Sequence, residues 1–161
     1  MNEHGRRRWI KTAGKEEAMA YRFTESVPYL LNRVGVSVAE RFTKRLEQYD
    51  MSLPMYRVLA VLRQTGTHTL GELSGMVSVE LSTLSRLIGN MVRRGLVTRI
   101  RPENNARIVE IDLTPAGAEM ADRLMPIATL FEDTLIADMD PQQIELLKTM
   151  LRHLNRQVET L

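Results

Sequence analysis

Between residues 82 and 93 the sequence places Ser82, Thr83, Ser85, Arg86, Asn90 and Arg93, side chains whose types and spacing suit recognition more than catalysis. The apolar residues Leu81, Leu84, Leu87, Ile88, Met91 and Val92 recur among them at helical spacing. The stretch Ser78 to Gly95 therefore predicts an amphipathic helix, with Ser78 as its N-cap and Gly95 as the left-handed residue that ends it. An ordinary solvated helix face mixes long Glu and Lys side chains. This face carries small hydroxyls and a glycine with arginines beyond them, so it can approach another surface closely. Hydroxyls, an amide and guanidinium forks are the groups that reach base edges and phosphates in a major groove, which is wide enough to admit one helix. Taken alone, the stretch reads equally well as an exposed helix without a ligand. Its surroundings decide.

No catalytic alternative has comparable support. Nucleophilic catalysis needs Ser, Cys or Lys beside a base, and metal catalysis needs clustered ligands. The histidines His4, His68 and His153 are far apart and none belongs to an HxxxH or HExxH arrangement. Cysteine is absent, which removes disulfides, thiolate metal sites and thiol redox sensing. There is no glycine-rich phosphate loop, and no cofactor or metal is expected. His68 suits a phosphate or solvent better than a metal, although histidines and carboxylates converging in space would still allow a zinc sensor. The reading is a binding protein, not an enzyme.

The charge is polarised along the chain. From Ser78 to Arg107 six basic residues stand against two acidic ones, a balance of +4, whereas Ile108 to Leu161 carries four basic and ten acidic residues, a balance of −6. A basic segment suits a polyanion, and the acidic remainder argues against uniform coating of nucleic acid. The 161 residues are one domain's worth of chain, and their 43% hydrophobic and 26% charged content is that of a globular protein. No apolar run approaches the roughly 18 residues that would span a bilayer, and the N-terminus lacks the apolar core of a signal peptide. A cytoplasmic protein without a membrane partner is expected.

The elements that must position the recognition stretch can be read in order. Residues 1–26 form a basic arm with Arg6, Arg7 and Arg8 beside Trp9. From Val27 the residues Leu31, Val34, Val38, Phe42, Leu46 and Tyr49 step by threes and fours, predicting a helix of about twenty residues after a cap at Thr24 or Ser26. Ser52 and Pro54 open a second helix with Met55, Val58, Leu59 and Leu62 inward, stopping near Gly66. Thr69-Leu-Gly-Glu72 is a capping box for a short helix packing Leu73 and Met76. About three residues then lead into the recognition stretch, which makes a helix-turn-helix.

After Gly95 the apolar period becomes alternating. Leu96 to Arg101 and Arg107 to Leu113 read as strands around the turn-forming Pro102 to Ala106, with Val97, Arg99 and Arg101 on one face. A hairpin after a helix-turn-helix is a wing, whose arginines can enter an adjacent minor groove; a solvated hairpin with charges blocking edge pairing is the plainer alternative. Thr114-Pro115 opens a helix carrying Met120, Leu124, Ile127, Phe131 and Leu135, with Pro126 expected to bend it. Asp140-Pro141 with Gln143 opens the last, whose stripe is Ile144, Leu147, Leu151, Leu154 and Val158. The fold class is mainly α with a small β-hairpin wing. Residues 51–113 form the winged helix-turn-helix, flanked by helices at 27–50 and 114–161 whose apolar stripes call for a second copy of the chain.

This order of elements resembles the MarR family of winged helix-turn-helix regulators, bacterial and archaeal dimers that usually repress transcription and release DNA on binding a small molecule. The resemblance runs from about Val27 to Leu161. It is most specific over LSTLSRLIGNMVRRGLVTRIRPENNARIVEIDLTPAG, residues 81–117, which matches the family's recognition helix, wing and Leu-Thr-x-x-Gly entry to the fifth helix. It implies groove-facing roles for Ser82, Thr83, Ser85 and Arg86. Thr69, Asn90, Arg93, Arg99, Arg101, Asn105 and Arg107 complete the expected DNA-contacting set. Arg107 is similar to the wing arginine of the family's Asp-x-Arg pattern, which here reads Asn105-Ala106-Arg107. The amide cannot orient the arginine through a charged pair. Pro126 is a second departure from the pattern.

Family members often hold an effector in a crevice between the dimerisation helices and the winged domain. In this chain that implies Tyr29, Arg33, Val36, Met55, Tyr56 and Arg57, although Met and Tyr at helical spacing are more often core residues. An arginine near a tyrosine in an apolar crevice would suit an aromatic carboxylate or a CoA thioester. The expected function is a homodimeric repressor that leaves a palindromic operator when a small molecule binds. A ligand-independent architectural DNA-binding protein is the alternative.

Overall fold

A computed structural model of the chain describes residues 21–101 and 109–160. The basic run Arg6 to Arg8 with Trp9, His4, and the wing-tip residues Asn105 and Arg107 lie outside the described residues. Two compact units divide between Glu40 and Arg41, inside the first helix.

In the first unit a 3-10 turn at Phe23–Glu25 leads into α1 (Val27–Leu46). Of the two expected caps it is Ser26 that serves, its hydroxyl accepting the Tyr29 amide at 3.4 Å. The Phe23 and Tyr29 rings meet at 4.8 Å. Leu31 and Val34, on the apolar stripe expected to call for a second copy, are 42% and 57% exposed, so their apolar surface is uncovered.

The second unit holds the core. The α2 helix (Leu53–Thr65) begins as expected, with the Ser52 hydroxyl accepting the Met55 amide and Met55, Val58, Leu59 and Leu62 buried. A two-residue strand, β1 (His68–Thr69), leads into α3 (Leu70–Val77), whose capping box between Thr69 and Glu72 is complete. The α4 helix (Leu81–Arg93) follows after three residues. Strands β2 (Val97–Ile100) and β3 (Glu110–Leu113) are antiparallel, pairing Val97 with Leu113 and Arg99 with Ile111. The chain then continues through α5 (Pro115–Leu135) and α6 (Pro141–Val158). Leu46, Leu59, Leu73, Leu84, Ile88, Ile111 and Leu124, drawn from six elements, are at most 1% exposed and form one cluster.

Four sequence expectations need correction. Ser78 is not the N-cap of α4. It stands in the left-handed region at φ 54° as the C-cap of α3, and Glu80 caps α4 instead. The inward-facing residue at the end of α3 is Val77, 1% exposed, and not Met76, 47% exposed, because Val77 stacks one turn beyond Leu73. On α4 the apolar stripe is narrower than its spacing suggests: Leu84, Ile88 and Met91 are buried, whereas Leu81 is 48% and Val92 37% exposed. The wing is a sheet of three strands, since β1 pairs with β3 through His68–Ile111 and Thr69–Glu110. A two-residue strand beside a helix cap carries no periodicity of its own.

Gly95 ends α4 as its position implies. At φ 69° it occupies the left-handed region, and the amides of Gly95 and Leu96 donate to the carbonyls of Val92 and Met91, closing a Schellman motif. The helix α5 is continuous across Pro126. No residue of α6 is buried, and its stripe exposes Leu147 (41%), Leu151 (41%) and Val158 (66%).

Candidate nucleic-acid interface

The α4 helix is fixed from three sides. Leu84, Ile88 and Met91 sink its inner face into the core. At its start, one oxygen of Glu80, Oε2, accepts the amides of Ser82 at 2.9 Å and Thr83 at 3.1 Å, and the Ser82 hydroxyl also donates to it. These bonds, the Ser82 hydroxyl first, hold the Glu80 carboxyl below the usual carboxylate range. At its end, Arg94 donates through Nη1 to the Asp50 carbonyl at 2.8 Å and pairs through Nη2 with the Asp50 carboxylate at 3.1 Å, tying the helix to the turn before α2. The sequence counts Glu80 and Arg94 only toward the charge of residues 78–107 and gives neither a positioning role. Glu is a weaker N-cap statistically than Ser, so Ser78 drew the assignment, and a link over 44 residues leaves no local signal.

What remains outward is the polar face. Ser82, Thr83, Arg86, Asn90 and Arg93 are exposed, with Ser85 and Gly89 half-buried beside them. Gly89 marks where helix and wing approach. A Cβ built there would lie 3.9 Å from Arg93 Nη1 and 3.9 Å from Arg99 Nη2, so guanidinium groups from α4 and β2 both reach over the bare backbone. Arg99 and Arg101 are exposed, and with Ser85, Leu70, Val109 and Ile111 they line an open cavity of about 620 Å³ between α4 and the sheet. Small polar groups, positive charge and concavity thus coincide on one side of the winged unit.

The wing is braced where it leaves this surface. The Thr114 amide donates to the Leu96 carbonyl at 3.1 Å, and the Thr114 hydroxyl accepts the Gly117 amide at 3.0 Å as the N-cap of α5. A Cβ on Gly117 would stand 1.8 Å from the Leu96 carbonyl oxygen. Only glycine fits there, which gives the Leu-Thr-x-x-Gly spacing a steric cause.

Other expected contact residues have local tasks. The Thr69 hydroxyl donates to Glu72 Oε2 at 2.8 Å and accepts the Glu72 amide at 3.3 Å. His68 is engaged rather than free: Nε2 lies 2.7 Å from the Thr65 hydroxyl, which already donates to the Val61 carbonyl, so the ring nitrogen is the donor. Among the described residues no cluster of His, Cys, Asp or Glu could hold a metal ion.

The six expected effector residues fall in different settings. Tyr29 packs on Phe23, and Arg33 and Val36 are exposed. In the second unit Met55 is buried and receives Arg94 Nη1 at 3.6 Å from its sulfur. Tyr56 stands edge-on to Phe42 at 5.0 Å; burial, and then Glu132 nearby, push its phenol above the usual range. Arg57 donates to the Val77 carbonyl at 3.2 Å, bracing the turn between α3 and α4.

Three antiparallel strands and a helix-turn-helix with an exposed polar second helix define a winged-helix DNA-binding protein. A MarR family model matches residues 51–109, from just before α2 to just before β3. The chain is 30% identical over 105 residues to the multiple antibiotic resistance protein MarR of Salmonella typhimurium, covering 63% of this chain and 72% of that protein. It is 24% identical over 133 residues to the HTH-type transcriptional repressor IacR of Pseudomonas putida, covering 83% and 80%. Among solved structures, BpsR of Bordetella bronchiseptica, whose DNA binding is described as regulated by 6-hydroxynicotinic acid, aligns with a TM-score of 0.76 at 21% identity, covering 84% and 96%. A mutant MarR of E. coli complexed with operator DNA aligns with a TM-score of 0.72 at 23% identity, covering 84% and 99%. The chain belongs to the MarR family of transcriptional regulators, which bind operator DNA and are not enzymes.

Proposed function

We propose that the chain is one subunit of a homodimeric repressor that binds a palindromic operator and is released from it by a small molecule. The observation that carries the reading is the outward face of α4, where Ser82, Thr83, Arg86, Asn90 and Arg93 stand exposed beside Arg99 and Arg101 of the wing. Hydroxyls, an amide and Arg86 supply base-edge contacts, while Arg93 and Arg99 supply positive charge for phosphates. Arg107, at the wing, enters the flanking minor groove in this reading.

The dimer is supported by surface that the subunit leaves bare. Leu146, Leu147, Met150, Leu151 and Val158 on α6 and Leu130 and Leu135 on α5 are 41–66% exposed. Large apolar side chains left exposed in this number suit an interface with a second copy, and a two-fold axis would present two α4 helices to successive major grooves. Release by an effector is supported by the BpsR likeness in fold, and repression by the name of IacR. Tyr29, Arg33, Val36, Met55, Tyr56 and Arg57 are the candidate effector residues, and an aromatic acid or its CoA thioester is the candidate class. A cytoplasmic location follows from the DNA partner.

The test is a binding titration against the promoter fragments beside the protein's own gene, first alone and then with a panel of aromatic acids and CoA thioesters. One fragment bound tightly and released by a panel member supports the proposal. Weak, steeply salt-dependent binding to every fragment contradicts it and favours an architectural role.

A further inference from the structure

The Ser82 hydroxyl is an exposed polar group on the recognition face whose hydrogen is already committed. It donates to Glu80 Oε2, the same oxygen that accepts the amides of Ser82 and Thr83. An ionised carboxylate only accepts, so the bond has one direction, and the serine oxygen is left with lone pairs alone to offer outward. Oε2 is saturated by three donors from the first turn. The amides of residues 82 and 83 are also occupied, so these two cannot anchor a phosphate as a bare helix N-terminus does.

A serine in a major groove ordinarily pairs with either donors or acceptors, because its hydroxyl rotates to suit. Ser82 lacks that freedom. Resting on the operator-binding reading above, we propose that Glu80 is a specificity-determining positioning residue: by holding the Ser82 hydrogen it makes Ser82 an obligate acceptor that reads an exocyclic amino group, adenine N6 or cytosine N4, in each half-site. Guanine O6 and N7 and thymine O4 present only acceptors at the same place and face the serine lone pairs without a bridging hydrogen. Glu80 also brings a negative charge to the groove, which lowers overall affinity while it narrows sequence choice.

The experiment selects bound duplexes from a random-sequence pool with wild type, Ser82→Ala and Glu80→Ser, and then measures affinity for single base-pair variants of the enriched site. Glu80→Ser retains a side chain favoured at N-caps, so α4 stays capped while the carboxylate is gone. Wild type is expected to enrich A or C over G or T at one position of each half-site, by about tenfold for one hydrogen bond lost against an unpaired acceptor. Ser82→Ala should lose the preference at that position alone. Glu80→Ser should accept all four bases there while binding the enriched site at least as tightly as wild type, whereas mere loss of a structural cap would weaken every duplex alike. Should Glu80→Ser keep the wild-type profile, or Ser82→Ala change no single position, the role of Glu80 is overturned and operator binding stands. Enrichment of no sequence by wild type overturns both.

Discussion

The Gly117 Cα sits so close to the Leu96 carbonyl that a Cβ would lie 1.8 Å from its oxygen. The first turn of α5 is thereby packed against the residue that precedes β2. The obstacle is backbone, which cannot rotate away. Gly117→Ala should therefore cost about 3 kcal/mol, the upper end for overpacking. Chemical denaturation measures this, and operator affinity should fall with it because the sheet must move.

Gly89 faces the opposite case. A Cβ at this position meets only Arg93 and Arg99 side-chain nitrogens at 3.9 Å, an ordinary contact. Gly89→Ala should raise stability by about 0.5–1 kcal/mol through helix propensity and leave DNA binding intact. Gly89→Leu should fold as well but weaken binding, because its side chain occupies the space where the two guanidinium groups approach. Thermal melts and binding titrations of the pair separate the effects.

The capping box of α3 makes stability depend on pH. Hydrogen bonds from the Thr69 backbone and hydroxyl hold Glu72 below its ordinary value of 4.5. A carboxyl depressed on folding stabilises the fold above its unfolded value, and that contribution is lost as pH falls through the folded one. Glu72→Gln should thus be less stable than wild type at neutral pH, and the gap should shrink on acidification below 4.5. Denaturant midpoints across that range provide the readout.

The exposed stripe of α6 predicts the assembly. Replacing Leu147 and Leu151, each 41% exposed, with glutamate should leave the helical signal unchanged and shift a dimer toward monomer in sedimentation. Operator affinity should fall by about tenfold or more, since two half-sites bind together only when the subunits are joined.

Much of this architecture is legible in the sequence because its signals are local. Ser52 with Pro54, Thr69 with Glu72, Thr114 with Pro115 and Asp140 with Gln143 each cap the helix their spacing predicts. The misreadings arise where a nonlocal choice decides. Ser78 is the better cap by type, but the turn after Val77 needs a left-handed residue there, which leaves capping to Glu80. Strand β1 exists only because β3 lies beside it. Arg57 donates to the Val77 carbonyl at 3.2 Å, a contact across 20 residues that no local pattern signals. Apolar periodicity places the stripes of α1 and α6 that call for a second copy, and Leu31, Val34, Leu147, Leu151 and Val158 on them are exposed.

The most direct test of the account is the affinity of wild type and Arg86→Ala for one selected operator duplex and for a scrambled duplex of equal length, at physiological salt. Wild type should bind the operator about a thousandfold or more tighter than the scramble. Arg86→Ala should lose about 1–3 kcal/mol on the operator with little change on the scramble, and Arg107→Ala a similar amount. Equal operator binding by wild type and Arg86→Ala would contradict the assignment of the α4 face as the surface that reads DNA.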